Sequence, residues 1–181
     1  PSYVIWNLLH RYTREKWLVV DPMCGSGTTL DVARDLDRRA LGYDLQPARD
    51  DIFRADARKL PLESGKSDFV FVDPPYSTHI KYSGQKECIG ELDARANRGY
   101  YAAMEKVIAE INRILKPDRC MALYVTDSAK KSAGAASASS GSATSSIAIR
   151  MAGTVRNLAH SAMSFSLWGR NSSSGGSRRP S

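Results

Sequence analysis

Five short apolar runs, each closed by an aspartate, punctuate the first 127 residues and restrict what the chain can fold into. Trp17-Leu18-Val19-Val20 runs into Asp21, Ala40 to Asp44 and Ile52 to Asp56 end in acids, Phe69-Val70-Phe71-Val72 runs into Asp73, and Met121 to Val125 precedes Asp127. Runs this short, rich in Val, Phe and Tyr and bounded by turn residues, suit parallel strands buried on both faces. Helical stretches lie between them. Thr29, Val32, Ala33 and Leu36 recur at i, i+3, i+4, i+7, and Met104, Val107, Ile108, Ile111, Ile114 and Leu115 form a longer stripe that Pro117 stops. Ser2 is placed to cap a first helix that carries Ile5, Leu8 and Leu9 on one face. Strands alternating with helices predict an α/β fold with a doubly wound, mostly parallel sheet. Such sheets bind ligands beyond the carboxyl ends of their strands, and five acids stand there.

The 181 residues divide into unlike parts. Residues 1–131 hold 21 Lys and Arg and all 19 acids, whereas residues 132–181 hold five Arg and no Lys or acid, so most of the net +7 lies in the tail. A basic balance points to an anionic partner such as nucleic acid, or to a merely solvated tail. Residues 132–146 contain only Ser, Ala, Gly and Thr, too little apolar surface to offset the entropy of ordering. The expected organisation is a catalytic domain over 1–130 and a low-order Ser/Ala/Gly/Arg-rich tail over 131–181. The abrupt loss of Lys, Asp and Glu would also fit a tail translated out of an ancestral reading frame.

No apolar run approaches the roughly 20 residues that cross a bilayer, and the first residues lack the basic-then-apolar order of a signal peptide. Cys24, Cys88 and Cys120 are scattered, without CxxC or histidines at ligand spacing, so neither a disulfide framework nor a zinc site is expected. No membrane association, no metal and a cytoplasmic setting are the resulting expectations.

The segment Asp21-Pro22-Met23-Cys24-Gly25-Ser26-Gly27-Thr28-Thr29 connects the first strand to a helix. Its glycines allow a tight turn and close approach to a ligand, and the helix start offers N–H groups to a polar or anionic group. Leu30 stands where a dinucleotide fingerprint needs its third glycine, and the Gly-Lys-Ser/Thr ending of a triphosphate loop is missing, so NAD and ATP are disfavoured. Asp44, 17 residues after Gly27, can accept from both ribose hydroxyls of a nucleoside cofactor, and Asp56 from an adenine amine.

Asp73-Pro74-Pro75-Tyr76 follows the fourth strand. Two prolines remove two donors and stiffen the backbone, which leaves the Asp73 carboxylate and the Pro74 carbonyl as acceptors in fixed relation. Tyr76 adds an aromatic face. This is a receiver for a planar ring bearing an exocyclic NH2. The following Ser77, His79, Lys81 and Tyr82 are suited to contact phosphate or to stack on a base, or form a solvated loop.

Together DPMCGSGTT and DPPY resemble the S-adenosylmethionine-dependent DNA amino-methyltransferases, the adenine-N6 and cytosine-N4 enzymes, over roughly residues 1–128. The order of motifs, cofactor loop first and DPPY later, occurs in some branches of that family. Ala55-Asp56-Ala57 and Leu60-Pro61-Leu62 sit where its third motif lies, and the first helix resembles the end of a cofactor-side helix motif whose beginning is expected before Pro1. The resemblance implies a Rossmann-like methyltransferase fold, S-adenosyl-L-methionine as cofactor, and a donor site formed by Asp21 to Thr29, Asp44, Leu45, Asp56 and Ala57. It implies that Asp73, Pro74, Pro75 and Tyr76 carry the chemistry and that Ser77, His79, Lys81 and Tyr82 contact the substrate. Cys24 is expected to pack beneath the loop, since amino methylation needs no thiolate.

A full sheet of this family has two more strands after Tyr124, usually an antiparallel pair, which residues 132–181 do not clearly supply. The fold is therefore expected to be incomplete at its C-terminus, with a second chain completing the sheet or supplying target recognition. Three functions remain open: a DNA methylase of adenine N6 or cytosine N4, an RNA base amino-methyltransferase, and a catalytically impaired nucleic-acid-binding or cofactor-binding remnant. The Gly-Ser-Gly-Thr-Thr run favours DNA over RNA, and DPPY leans towards adenine.

Overall fold

The computed structural model describes residues 2–75, 88–92, 99–126 and 145–151. In chain order these form α1 (Ser2–Tyr12), β1 (Leu18–Asp21), α2 (Thr28–Asp35), β2 (Arg39–Asp44), β3 (Ile52–Arg54), β4 (Ser67–Val72), a 3-10 turn (Ile89–Glu91), α3 (Tyr100–Ile114), β5 (Leu115–Thr126) and β6 (Ser145–Met151). The sheet order is β3-β2-β1-β4-β5-β6. All pairings are parallel except that of β5 with β6. The strand order reverses between β1 and β4, which opens a crevice at their carboxyl ends.

The alternation of side chains explains why β4 is buried along its whole length. Phe69 and Phe71 point to one face, where they meet Ile5, Leu8 and Leu9 of α1 and Val32 and Ala33 of α2. Val70 and Val72 point to the other, against Val107, Ile111 and Ile114 of α3. Val19 and Val20 of β1 divide between the same two layers. Fully burying one such side chain is worth about 1.5–3 kcal/mol, so these pairs hold the centre of the sheet under the crevice.

Several boundaries differ from the sequence pattern. Ser2 is the first helical residue rather than a flanking cap. Leu115 belongs to β5, because the residue before a proline disfavours the helical conformation and Lys116 precedes Pro117. The pairing of β4 with β5 then slips between Ser67 and Phe69, and Asp118 adopts φ 58°. Strand β3 stops at Arg54, and Asp56 instead makes an isolated bridge to Lys59. Asp127 lies outside the described residues. Within the segment after residue 130, Ser145–Met151 form β6, which includes the apolar Ile147 and Ile149 and pairs antiparallel with Cys120–Thr126. The α/β class and the mostly parallel sheet are as expected.

Candidate active site

Strand β1 delivers Asp21 into the interior, at 3% exposure. Its carboxylate accepts from the Met23 amide at 3.0 Å and from the Thr29 hydroxyl at 2.6 Å, so one side chain fastens both the start of the loop and the first turn of α2. Gly25 (φ 51°) and Gly27 (φ 88°) take the left-handed conformation that lets the loop turn between them. Two further bonds attach it to β2: the Cys24 amide donates to the Tyr43 carbonyl at 2.9 Å, and the Gly25 amide to Asp44 Oδ2 at 2.9 Å. Asp44 Oδ1 accepts from the Gln46 amide at 2.8 Å. Each carboxylate oxygen retains further acceptor capacity for a ligand.

A cavity of about 520 Å³ lies over the carboxyl ends of β1, β2 and β4. Asp21, Pro22, Met23, Cys24, Gly25, Ser26, Thr28 and Thr29 line one side, Asp44, Leu45, Asp56 and Ala57 a second, and Asp73, Pro74 and Pro75 a third. Of the candidate donor-site residues only Gly27 is not part of its wall. Tyr76, Ser77, His79, Lys81 and Tyr82 lie outside the described residues. Sequence reasoning missed Ile5, Gln46, Ala55, Phe71, Cys88 and Ile89, which also line the cavity. Ala55 and Gln46 flank motif acids and were within reach of the pattern. Ile5 and Phe71 read only as core, and nothing local marks Cys88 or Ile89.

The electrostatics favour a ligand that brings positive charge. Burial pushes the Asp21 carboxyl up to about 7, the Thr29 and Met23 bonds oppose this, and the charges of Asp73 and Asp44 add to the rise. Burial, followed by the charges of Asp21 and Asp44, raises the Cys24 thiol far above its ordinary range, which favours the neutral thiol. Asp56 behaves differently. Burial acts to raise it, but the Arg58 guanidinium (2.6 Å) and amide (2.9 Å) outweigh burial and hold it below the usual carboxylate value. The acid assigned to an adenine amine is thus already engaged by Arg58.

The residues fit S-adenosylmethionine. Buried acid faces a space where the ammonium and sulfonium of such a donor could sit, Asp44 keeps acceptor capacity for hydroxyls, and a Cβ added at Gly25 would meet nothing within 4 Å. The cavity is within the range of about 300–1,000 Å³ usual for cofactor sites. Among the described residues no cluster of three or more His, Cys, Asp or Glu could hold a metal, and no helix is long and apolar enough to cross a membrane.

A mostly parallel sheet in this order, with a glycine turn after its first strand and a cavity at the reversal of strand order, is a Rossmann-like fold. Residues 1–54 match the family model N6_N4_Mtase, described as DNA methylase, and the chain resembles that family. Comparison with curated protein sequences gives no match. Among solved structures, the chain is similar to TrmN from Thermus thermophilus (TM-score 0.50, 23% identity), over 68% of this chain and 37% of that one. It is similar to the PH0226 protein from Pyrococcus horikoshii OT3 (TM-score 0.50, 22% identity), over 69% of this chain and 56% of that one. It is also similar to the [4+2]-cyclase SpnF (TM-score 0.50, 18% identity), over 75% of this chain and 48% of that one. The chain thus spans between 37% and 56% of the length of these proteins. Likeness at this level carries the fold. The reaction has to be argued from the site.

Proposed function

We propose that this chain is the donor-binding and catalytic core of a methyltransferase that transfers a methyl group from S-adenosylmethionine to the exocyclic amine of adenine (N6) or cytosine (N4) in DNA. The observation that carries the reading is that the Gly25 loop and Asp73-Pro74-Pro75 line one cavity. The family match over residues 1–54 supports the DNA branch.

When bound, the cofactor supplies an electrophilic methyl on a sulfonium. Asp44 would hold the donor through hydroxyl contacts, while Asp21 sets the loop through its bonds to the Met23 amide and the Thr29 hydroxyl. The target base reaches the cavity unpaired or extruded from a helix, at a cost of a few kcal/mol. The Asp73 carboxylate and the Pro74 carbonyl each accept one hydrogen of the amine, and in doing so they draw the nitrogen lone pair out of conjugation with the ring. These two acceptors would hold the amine with its lone pair in line with the place a donor's methyl would occupy, and positioning of that kind supplies much of the rate. The nitrogen becomes cationic, and Asp73 stabilises that charge before water removes the proton. Tyr76, next in sequence, is assigned the stacking face, and Ser77, His79, Lys81 and Tyr82 the contacts to substrate.

The test is incubation with methyl-labelled S-adenosylmethionine and, separately, DNA and RNA, followed by digestion to nucleosides. Label in N6-methyladenine or N4-methylcytosine from DNA is the expected result. Label only in RNA would overturn the DNA assignment, and no label in either would overturn the activity.

A further inference from the structure

We infer that Arg49 is a positioning residue for the donor loop, acting on the side of the loop that does not face the cavity. This rests on the reading of the cavity as the donor site. Gly25, Ser26, Thr28 and Thr29 line that cavity and Gly27 does not. A Cβ at Gly27 would stand 2.7 Å from Arg49 Nη1 and 3.0 Å from its Cζ. The second glycine of the motif is therefore occupied by close approach of a guanidinium, not of the ligand.

Arg49 ties three segments together. Nη1 donates to the Ser26 carbonyl at 3.4 Å, within the loop. Nη1 and Nη2 fork onto Asp31 in the first turn of α2, at 2.8 and 2.9 Å. Nε and Nη2 fork onto Asp51, just before β3, at 3.0 and 2.8 Å. Two bidentate pairs from one planar group fix its orientation in a way that a lysine could not. Arg34 shares the same acids, with Asp51 at 2.7 Å and Asp31 at 3.7 Å.

These groups are partly open to solvent: the side chains are 31% exposed at Arg49 and 53% at Asp31. Ion pairs of this kind add little to global stability. The network's effect is local. It holds the Ser26 carbonyl and the Gly27 turn against α2 and the segment after β2, so that the loop amides and Asp44 keep their relation across the cavity.

The experiment titrates S-adenosylmethionine into the full chain by calorimetry and records Tm for wild type, Arg49→Gln, Arg49→Lys and Arg34→Gln. Hydrogen exchange of the Cys24 to Thr29 amides is followed in parallel. Arg49→Gln should weaken binding about tenfold, the scale of one lost hydrogen bond to a charged group, and speed exchange of the loop while Tm stays near that of wild type. Arg49→Lys should remain weak, and Arg34→Gln should bind as wild type does. Wild-type affinity in Arg49→Gln, restored affinity in Arg49→Lys, or equal losses in Arg34→Gln and Arg49→Gln would each overturn the inference. If Arg49→Gln does not fold, the Arg49→Lys affinity decides. Failure of the wild type itself to bind would instead overturn the donor-site reading.

Discussion

The Gly25 amide donates to Asp44 Oδ2 at 2.9 Å, so the carboxylate that closes β2 also anchors the loop that follows β1. Because β1 and β2 are parallel neighbours in register from Leu18↔Arg39 to Asp21↔Gly42, their ends emerge side by side. Asp44 therefore has two tasks, shaping the loop and offering acceptors to a ligand, and its substitution should disturb both.

Asp44→Ala is expected to weaken S-adenosylmethionine binding by at least about tenfold, the loss of one or two charge-assisted bonds at about 1.5–3 kcal/mol each. Asp44→Asn, which keeps one acceptor oxygen, should fall between the two. Calorimetric titration of the three proteins checks this, and equal affinities would remove Asp44 from the site.

Asp21 sets a pH dependence in the ligand-free protein. Its carboxyl is raised from 3.8 to about 7, chiefly by burial, so the folded state holds a proton that the unfolded chain releases. The associated stability is fully present below pH 3.8 and is lost as pH rises through about 7. A tenfold change in proton affinity is worth about 1.4 kcal/mol, so the contribution is a few kcal/mol. Asp21→Asn imitates the protonated acid, since the Thr29 hydroxyl can turn to accept from the amide. Denaturant melts between pH 4 and 8 should show stability falling in wild type and a flatter profile in the variant.

Gly42 lies opposite Asp21 in the β1–β2 pair, and a Cβ there would stand 2.6 Å from Cys24 Sγ and 2.7 Å from Leu30 Cδ1. Gly42→Ala should cost about 1–3 kcal/mol through overpacking and should push Cys24 towards the cavity. Adding Cys24→Ala should recover part of that loss but not all, because the Leu30 conflict persists. A double-mutant cycle of unfolding free energies measures the coupling, and strict additivity would show that the two do not touch.

Asp73→Ala should abolish methyl transfer while leaving donor affinity within a few-fold of wild type. It should also lower the Asp21 pKa, since the Asp73 charge is among the causes that raise it. Turnover by the variant would refute the role given to Asp73.

Much of this was decided along the chain. Each apolar run ending in an acid overlaps a strand of the sheet within the described residues; β4 is buried along its whole length, whereas β3 at the sheet edge buries Ile52 and exposes Phe53 and Arg54. The left-handed turns at Gly25 and Gly27 likewise follow from residue type, since only glycine takes φ near +50° to +90° at no steric cost. What the sequence could not determine is which groups meet. Arg49 on Gly27, Ile5 of the first helix against the cavity, and β6 on the edge of β5 join segments through sheet order and packing, and no local pattern encodes those. Asp21 shows the division within one residue: its place at a strand end was legible in Leu18-Val19-Val20-Asp21, but its proton affinity was decided only when the folded sheet removed it from water.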